Sequence, residues 1–188
     1  MVILGGSGAG KGTQAEQLCH KLSIPWISTG DILLRANDSQ TPLGLQVQPY
    51  VEKGELVPDE IMIKLIRERL LQPDVTKGWL LDGYPRTAFQ AEELDFLLDD
   101  LGQQLDRAIW LEVPESVMVS RAVARGQKLP EGLCRLDDQP EIVQRRIALF
   151  QERTTPILEY YDRSHRLLTI NGNQPPEKVQ QDIWQQLF

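Results

Sequence analysis

The residues that could do chemistry open the chain. Gly5-Gly6-Ser7-Gly8-Ala9-Gly10-Lys11-Gly12-Thr13 sets five glycines around one lysine and one threonine. Glycines let successive backbone N–H groups turn inward onto anionic oxygens, a lysine adds a mobile cation, and a threonine hydroxyl can bind a divalent metal. That is chemistry for a polyphosphate rather than for a nucleophile. A flexible glycine turn beside an ordinary surface lysine is the plain alternative. A second set lies further on. Between residues 121 and 146 stand five arginines (Arg121, Arg125, Arg135, Arg145 and Arg146) and Lys128, against four acidic residues, so an acidic chain turns locally cationic. Arg121 and Arg125 are four apart and share a helix face. Convergent arginines neutralise charge on a transferring group, the main demand of phosphoryl transfer. Each one alone also reads as a solvated face with ion pairs.

The elements that must position these residues follow from short apolar runs alternating with stretches of helical period. Candidate strands are Val2-Ile3-Leu4, Trp26-Ile27-Ser28, Trp79-Leu80-Leu81, Ala108-Ile109-Trp110-Leu111 and Leu167-Leu168-Thr169-Ile170. Candidate helices run Gly12 to Leu22, Asp59 to Leu71, Ala88 to Leu101, Ser116 to Arg125, Pro140 to Tyr161 and Pro176 to Leu187. This predicts an α/β fold in three layers, a five-stranded parallel sheet with helices on both faces. The glycine loop then falls between the first strand and the first helix, where the dipole of a helix N-terminus assists it. Two segments break the rhythm: Thr29 to Pro58 has no strand pattern, and Gly126 to Leu136 is a Gly- and Pro-containing loop. Insertions of this kind on a sheet usually cover a site. Pro49 lies inside a helical pattern from Leu43 to Lys53 and is expected to kink or shorten it.

The 188 residues fit one domain, and 41% hydrophobic with 25% charged residues gives ordinary globular material. Net charge −7 opposes binding to a nucleic-acid backbone. No apolar run approaches the roughly 20 residues needed to span a bilayer, and no signal-peptide pattern opens the chain. A cytoplasmic location without membrane or nucleic-acid partners is expected. Cys19 and Cys134 form no paired spacing, so neither a disulfide framework nor a four-cysteine zinc site is supported.

Further motifs follow the loop in order: Ile27-Ser28-Thr29-Gly30-Asp31, Gly54-Glu55-Leu56-Val57-Pro58-Asp59, Leu81-Asp82-Gly83-Tyr84-Pro85-Arg86 and Arg135-Leu136-Asp137-Asp138. Together with a loop in which Gly12 rather than Ser or Thr follows Lys11, they resemble the adenylate kinases, P-loop nucleoside monophosphate kinases, in a short-lid form. The resemblance implies reversible phosphoryl transfer from MgATP to AMP, giving two ADP, by a monomer with a mobile AMP-binding arm at about 28–58 and a lid loop at about 126–136. It implies that Lys11, Arg86, Arg125, Arg135 and Arg146 clamp the phosphates. ATP would lie on Gly8, Ala9, Gly10, Lys11, Gly12 and Thr13, with Arg121, Arg125 and Gln174 on the nucleoside side. AMP would meet Thr29, Gly30, Arg35, Glu55, Leu56, Val57, Gly83, Arg86, Gln90, Arg135 and Arg146. Mg²⁺ would be held by Thr13 and, through water, by Asp82, while Asp137 and Asp138 would support the lid arginines. The Tyr84-Pro85 bond would be cis. A side-chain amide such as Gln90 can donate to and accept from an adenine edge. Related pyrimidine kinases carry Ala where this chain has Thr29, which favours AMP.

Two departures stand out. Leu34 occupies the position where the family carries an arginine on the AMP phosphate, and Arg35 lies one residue, about 100° of helix, later. Only nine residues lie between Arg125 and Arg135, too few for the β-structured lid of longer relatives. Rival readings are a UMP or CMP kinase and a nucleotide-binding regulator without turnover. A GTPase is disfavoured because no Asn-Lys-x-Asp guanine motif is present.

Overall fold

The computed structural model describes residues 1–38, 42–53, 55, 57–127 and 140–188, without the side chains of 35–38, 51, 52, 127, 140 and 154. The roles expected of Leu56, Arg135, Asp137 and Asp138, of the Arg35 side chain and of the lid at 128–136 therefore lie outside the described residues.

Five short strands form one sheet: β1 (Val2–Leu4), β2 (Trp26–Ser28), β3 (Leu80–Asp82), β4 (Ala108–Glu112) and β5 (Leu167–Asn171). Their order is β2-β3-β1-β4-β5 and every neighbouring pair is parallel. All three residues of β1 are buried, as a central strand covered on both faces requires. The pleat sends alternate residues to opposite sides. Val2 and Leu4 join one apolar cluster with Leu81 and Val57, whereas Ile3 joins another with Leu80, Ile109 and Leu111.

The helices are α1 (Lys11–Leu22), α2 (Thr29–Asp38), α3 (Pro42–Lys53), α4 (Asp59–Leu70), α5 (Ala88–Asp100), α6 (Glu115–Gln127), α7 (Pro140–Arg163) and α8 (Pro176–Leu187). Ala15, Leu18, Ala122 and Ile183 bring α1, α6 and α8 onto the Ile3 face. Met62, Leu65, Leu94 and Leu98 bring α4 and α5 onto the other. The long α7 serves both, with Val143 and Ile147 on one side and Ile157 and Tyr161 on the other.

Three expectations are corrected. The third strand is Leu80–Asp82, not Trp79–Leu81; Trp79 precedes it, with its indole N–H donating to Gln103 Oε1 at 2.9 Å. Helix α6 starts at Glu115, after the Pro114 carbonyl takes the Val117 and Met118 N–H groups, and runs to Gln127. Pro49 does not shorten its helix: α3 runs unbroken from Pro42 to Lys53 around it. A proline removes one N–H, here the partner of the Leu45 carbonyl, and Leu45 is 60% exposed, so water can take its place.

Candidate active site

β1 and β3 are parallel neighbours with Ile3 opposite Asp82, so the loops leaving their C-terminal ends emerge side by side. The glycine loop leaves one and Gly83–Thr87 the other. Both border a cavity of about 410 Å³, within the size range of small-molecule sites. From the loop side Gly8, Gly10, Lys11, Gly12 and Thr13 line it. Opposite stand Asp82, Gly83 and Arg86, with Gly30 and Asp31 from α2. Arg125 from α6 and Arg146 from α7 complete the cationic wall. Residues 115 positions apart in sequence, Asp31 and Arg146, thus share one space.

The loop needs its glycines for approach as well as for conformation. Gly8 has φ +85°, and a β-carbon there would stand 2.0 Å from the Met118 carbonyl oxygen of α6. At Gly6 it would stand 2.6 Å from Met118 Sδ. Ala9 turns inward and is buried in the core beneath the loop rather than lining the cavity.

Lys11 donates from Nζ to the carbonyls of Gly5 at 2.8 Å and Gly6 at 3.2 Å. Its ammonium lies 4.0 Å from Asp82 Oδ1. Burial pulls the lysine pKa below its usual value, Asp82 opposes this, and the fields of Arg146, Arg86 and Arg125 add to the lowering. Burial pushes the Asp82 carboxyl up, against the pull of Lys11 and Arg86. Its Oδ1 is buried and accepts no hydrogen bond from the described residues. A buried acceptor without a donor, near the exposed Thr13 at the start of α1, suits a hydrated divalent cation, whose waters would satisfy it.

Other expected residues sit behind or beside the cavity. Thr29 is fully buried and its hydroxyl donates to the Asp82 carbonyl at 3.1 Å, pinning the start of α2 to the end of β3. That hydroxyl passes so near Gly83, φ +89°, that a β-carbon there would be 2.4 Å from it. Val57 packs in the core. Gln90, in the first turn of α5, is 2% exposed, with both ends of its amide bonded inside the protein. Arg86 sets its own head by donating from Nε to the Gly83 carbonyl at 2.7 Å. The Glu55 carboxylate accepts from Arg145 at 2.8 Å. Arg121 donates to the Gly172 carbonyl at 3.0 Å, and Gln174 to Asn171 and Asp182, all away from the cavity lining. The Tyr84-Pro85 peptide is cis.

Several lining residues escaped the sequence reading. Leu149 and Phe150 line the cavity three and four positions after Arg146, a helical spacing that could have placed them. Trp26 and Leu34 also face it, and no sequence signal marked Trp26.

A glycine loop suited to an anion, a half-buried lysine–aspartate pair and arginines from separate elements around one space are what transfer between two phosphorylated molecules demands. Comparison with known proteins agrees. A family profile described as adenylate kinase matches residues 3–166. An "Adenylate kinase 2" of a Nostoc species is 64% identical over 183 residues, 97% of this chain and 95% of the relative. A Cyanothece adenylate kinase is 50% identical over 97% of this chain and 92% of its own length. A Synechocystis "Adenylate kinase 2" is 49% identical over 95% of this chain and 94% of its own. With the profile running from inside β1 to the residue before β5, across every cavity-lining residue named above, the chain belongs to the adenylate kinase family.

Proposed function

We propose a division of labour for the reaction that the family carries, reversible transfer of the γ-phosphoryl of ATP to AMP to give two ADP. The observation that supports it most is the meeting of Lys11, Arg86, Arg125 and Arg146, from four separate stretches of chain, around the mouth of the glycine loop. ATP lies with its β and γ phosphates in the loop, where Lys11 exchanges its bonds to the Gly5 and Gly6 carbonyls for phosphate oxygens. A polyphosphate beside Lys11 raises its pKa again, so binding secures the charged form. AMP lies under the arm at about 28–58, against Gly30, Gly83 and Arg86, with Thr29, Glu55, Leu56, Val57 and Gln90 shaping the base pocket. Arg86, Arg125, Arg135 and Arg146 draw the two phosphates into line and balance the charge that spreads over the transferring group. Arg121 and Gln174 border the ATP nucleoside, and Asp137 and Asp138 hold the lid arginines. Thr13 and Asp82 are the residues that would hold Mg²⁺, Asp82 through water, and the ion would supply charge neutralisation to the phosphates there. The short lid excludes water from the transferring phosphoryl. The enzyme works as a cytoplasmic monomer.

Release of ADP from MgATP with AMP, UMP, CMP or GMP tests this reading beside Lys11→Ala and Arg86→Ala. AMP-dependent turnover that falls about a hundredfold or more in both variants is expected. Turnover preferring a pyrimidine nucleotide, or binding without turnover, would overturn it.

A further inference from the structure

The first turn of α5 is organised around Gln90. Thr87 caps the helix, its hydroxyl oxygen accepting from the Gln90 N–H at 3.1 Å. In the usual Thr-x-x-Gln capping box the glutamine reaches back to the N–H of the cap itself. Here it reaches one residue further, and Gln90 Oε1 accepts from the Arg86 N–H at 2.7 Å. The other end of the amide spans to a different element: Nε2 donates to Oδ1 of Asp59, in the first turn of α4, at 2.6 Å. An amide turned over has almost the same shape, with oxygen and nitrogen exchanged. Neither partner permits that exchange, because an ionised carboxylate only accepts and a backbone N–H only donates. A turned amide would set two acceptors and two donors face to face at a site 2% exposed, where unmade hydrogen bonds are costly.

We propose that Asp59 is a specificity-determining positioning residue. By fixing the direction of the Gln90 amide, it fixes the order in which that amide offers its remaining donor and acceptor to the base of the nucleoside monophosphate, favouring a 6-amino over a 6-oxo purine. This rests on the reading of Gln90 as the residue that meets the base. After its bonds to Asp59 and Arg86, Gln90 keeps one amide hydrogen and one lone pair. A 6-amino purine presents an accepting ring nitrogen beside a donating amino group. A 6-oxo purine presents a donating ring N–H beside an accepting oxygen, the reverse order. The locked amide matches the first as it stands and the second only by giving up both internal partners. Asp59 supplies the charged one, and hydrogen bonds to charged groups are the stronger kind. Neither Asp59 nor Gln90 is in the cavity lining; Gln90 is bonded to Arg86, which is, and Asp59 acts through Gln90.

The test measures kcat/KM for AMP and for IMP in Asp59→Asn, Asp59→Ser and Gln90→Leu, with the KM for ATP and the melting temperature recorded alongside. In both Asp59 variants the AMP:IMP ratio is expected to fall about tenfold, with the KM for ATP within about twofold, and Gln90→Leu should lower the ratio at least as far. A ratio unchanged in both Asp59 variants but lost in Gln90→Leu overturns the role of Asp59 and leaves base reading by Gln90 standing. Equal losses toward both purines make Asp59 a structural brace and also overturn it. A ratio unchanged in Gln90→Leu removes base reading by Gln90, and this inference with it.

Discussion

Lys11 and Asp82 are a lysine and a carboxylate that burial pushes in opposite directions, each partly restored by the other. Asp82 is the acid that raises the Lys11 pKa, against three arginines that lower it. Asp82→Asn should therefore lower the Lys11 pKa further. Since phosphate binding needs the ammonium, affinity is lost as pH rises through that pKa, and the alkaline limb of ATP binding should move to lower pH. Titrations of ATP without added metal from about pH 7 to 10 check this, and an unmoved limb would count against it. Leu34 sets a second expectation, for it presents an apolar wall to the cavity where the resemblance calls for a cation. If Arg35 takes over that grip, Arg35→Ala raises the KM for AMP about tenfold, while Leu34→Arg lowers it; KM values unmoved by either change would rule the substitution out. That the loop, Asp82, Arg86, Arg125 and Arg146 share one cavity could be anticipated because their residue types carry one chemistry each. The internal bonding of Gln90 was not, because its partner Asp59 lies 31 positions away and nothing local distinguishes it from an exposed helical glutamine.

The strands were readable as short apolar runs because a parallel sheet covered on both faces asks for nothing else. What joins the elements was harder to see. Arg166, just before β5, forms a two-pronged pair with Asp95 of α5 at 2.8 and 2.6 Å, and Tyr160 of α7 donates to the same carboxylate at 2.7 Å. Its guanidinium also lies over the rings of Tyr160 and Tyr161. Burial, then the bond to Asp95, pushes the Tyr160 hydroxyl up to about 12. Three elements thus meet at one carboxylate that is about three-quarters shielded from water. Asp95→Ala, which strands Arg166, should cost about 2 kcal/mol in urea unfolding. A loss below about 0.5 kcal/mol would place this cluster with ordinary surface pairs. The Glu55–Arg145 pair spans 90 positions and was equally invisible in sequence; both side chains are well exposed, so it contributes little. Pro49 failed as a helix breaker because the bond it deletes lies on a wet face, where propensity alone sets the cost. Pro49→Ala should raise the melting temperature.

Over the whole molecule, a chain of net charge −7 gathers Lys11, Arg86, Arg125 and Arg146 about one cavity. On the proposed reading the net negative chain repels polyphosphates while these cations attract them, so affinity depends on a short-range cationic field that salt screens. KM for both nucleotides should rise several-fold between about 0.05 and 0.5 M salt, with melting temperature changing little; a flat response would mean that the arginines act only by direct contact. Among the described residues no helix is long and apolar enough to cross a membrane. Backbone packs on backbone where Gly8 meets the Met118 carbonyl, leaving no room for a β-carbon. The glycine loop and the helix that carries Arg125 therefore share a wall of atoms with no adjustable side chain at Gly8. Any residue replacing Gly8 must displace the loop or α6, and a displaced α6 carries Arg125 with it.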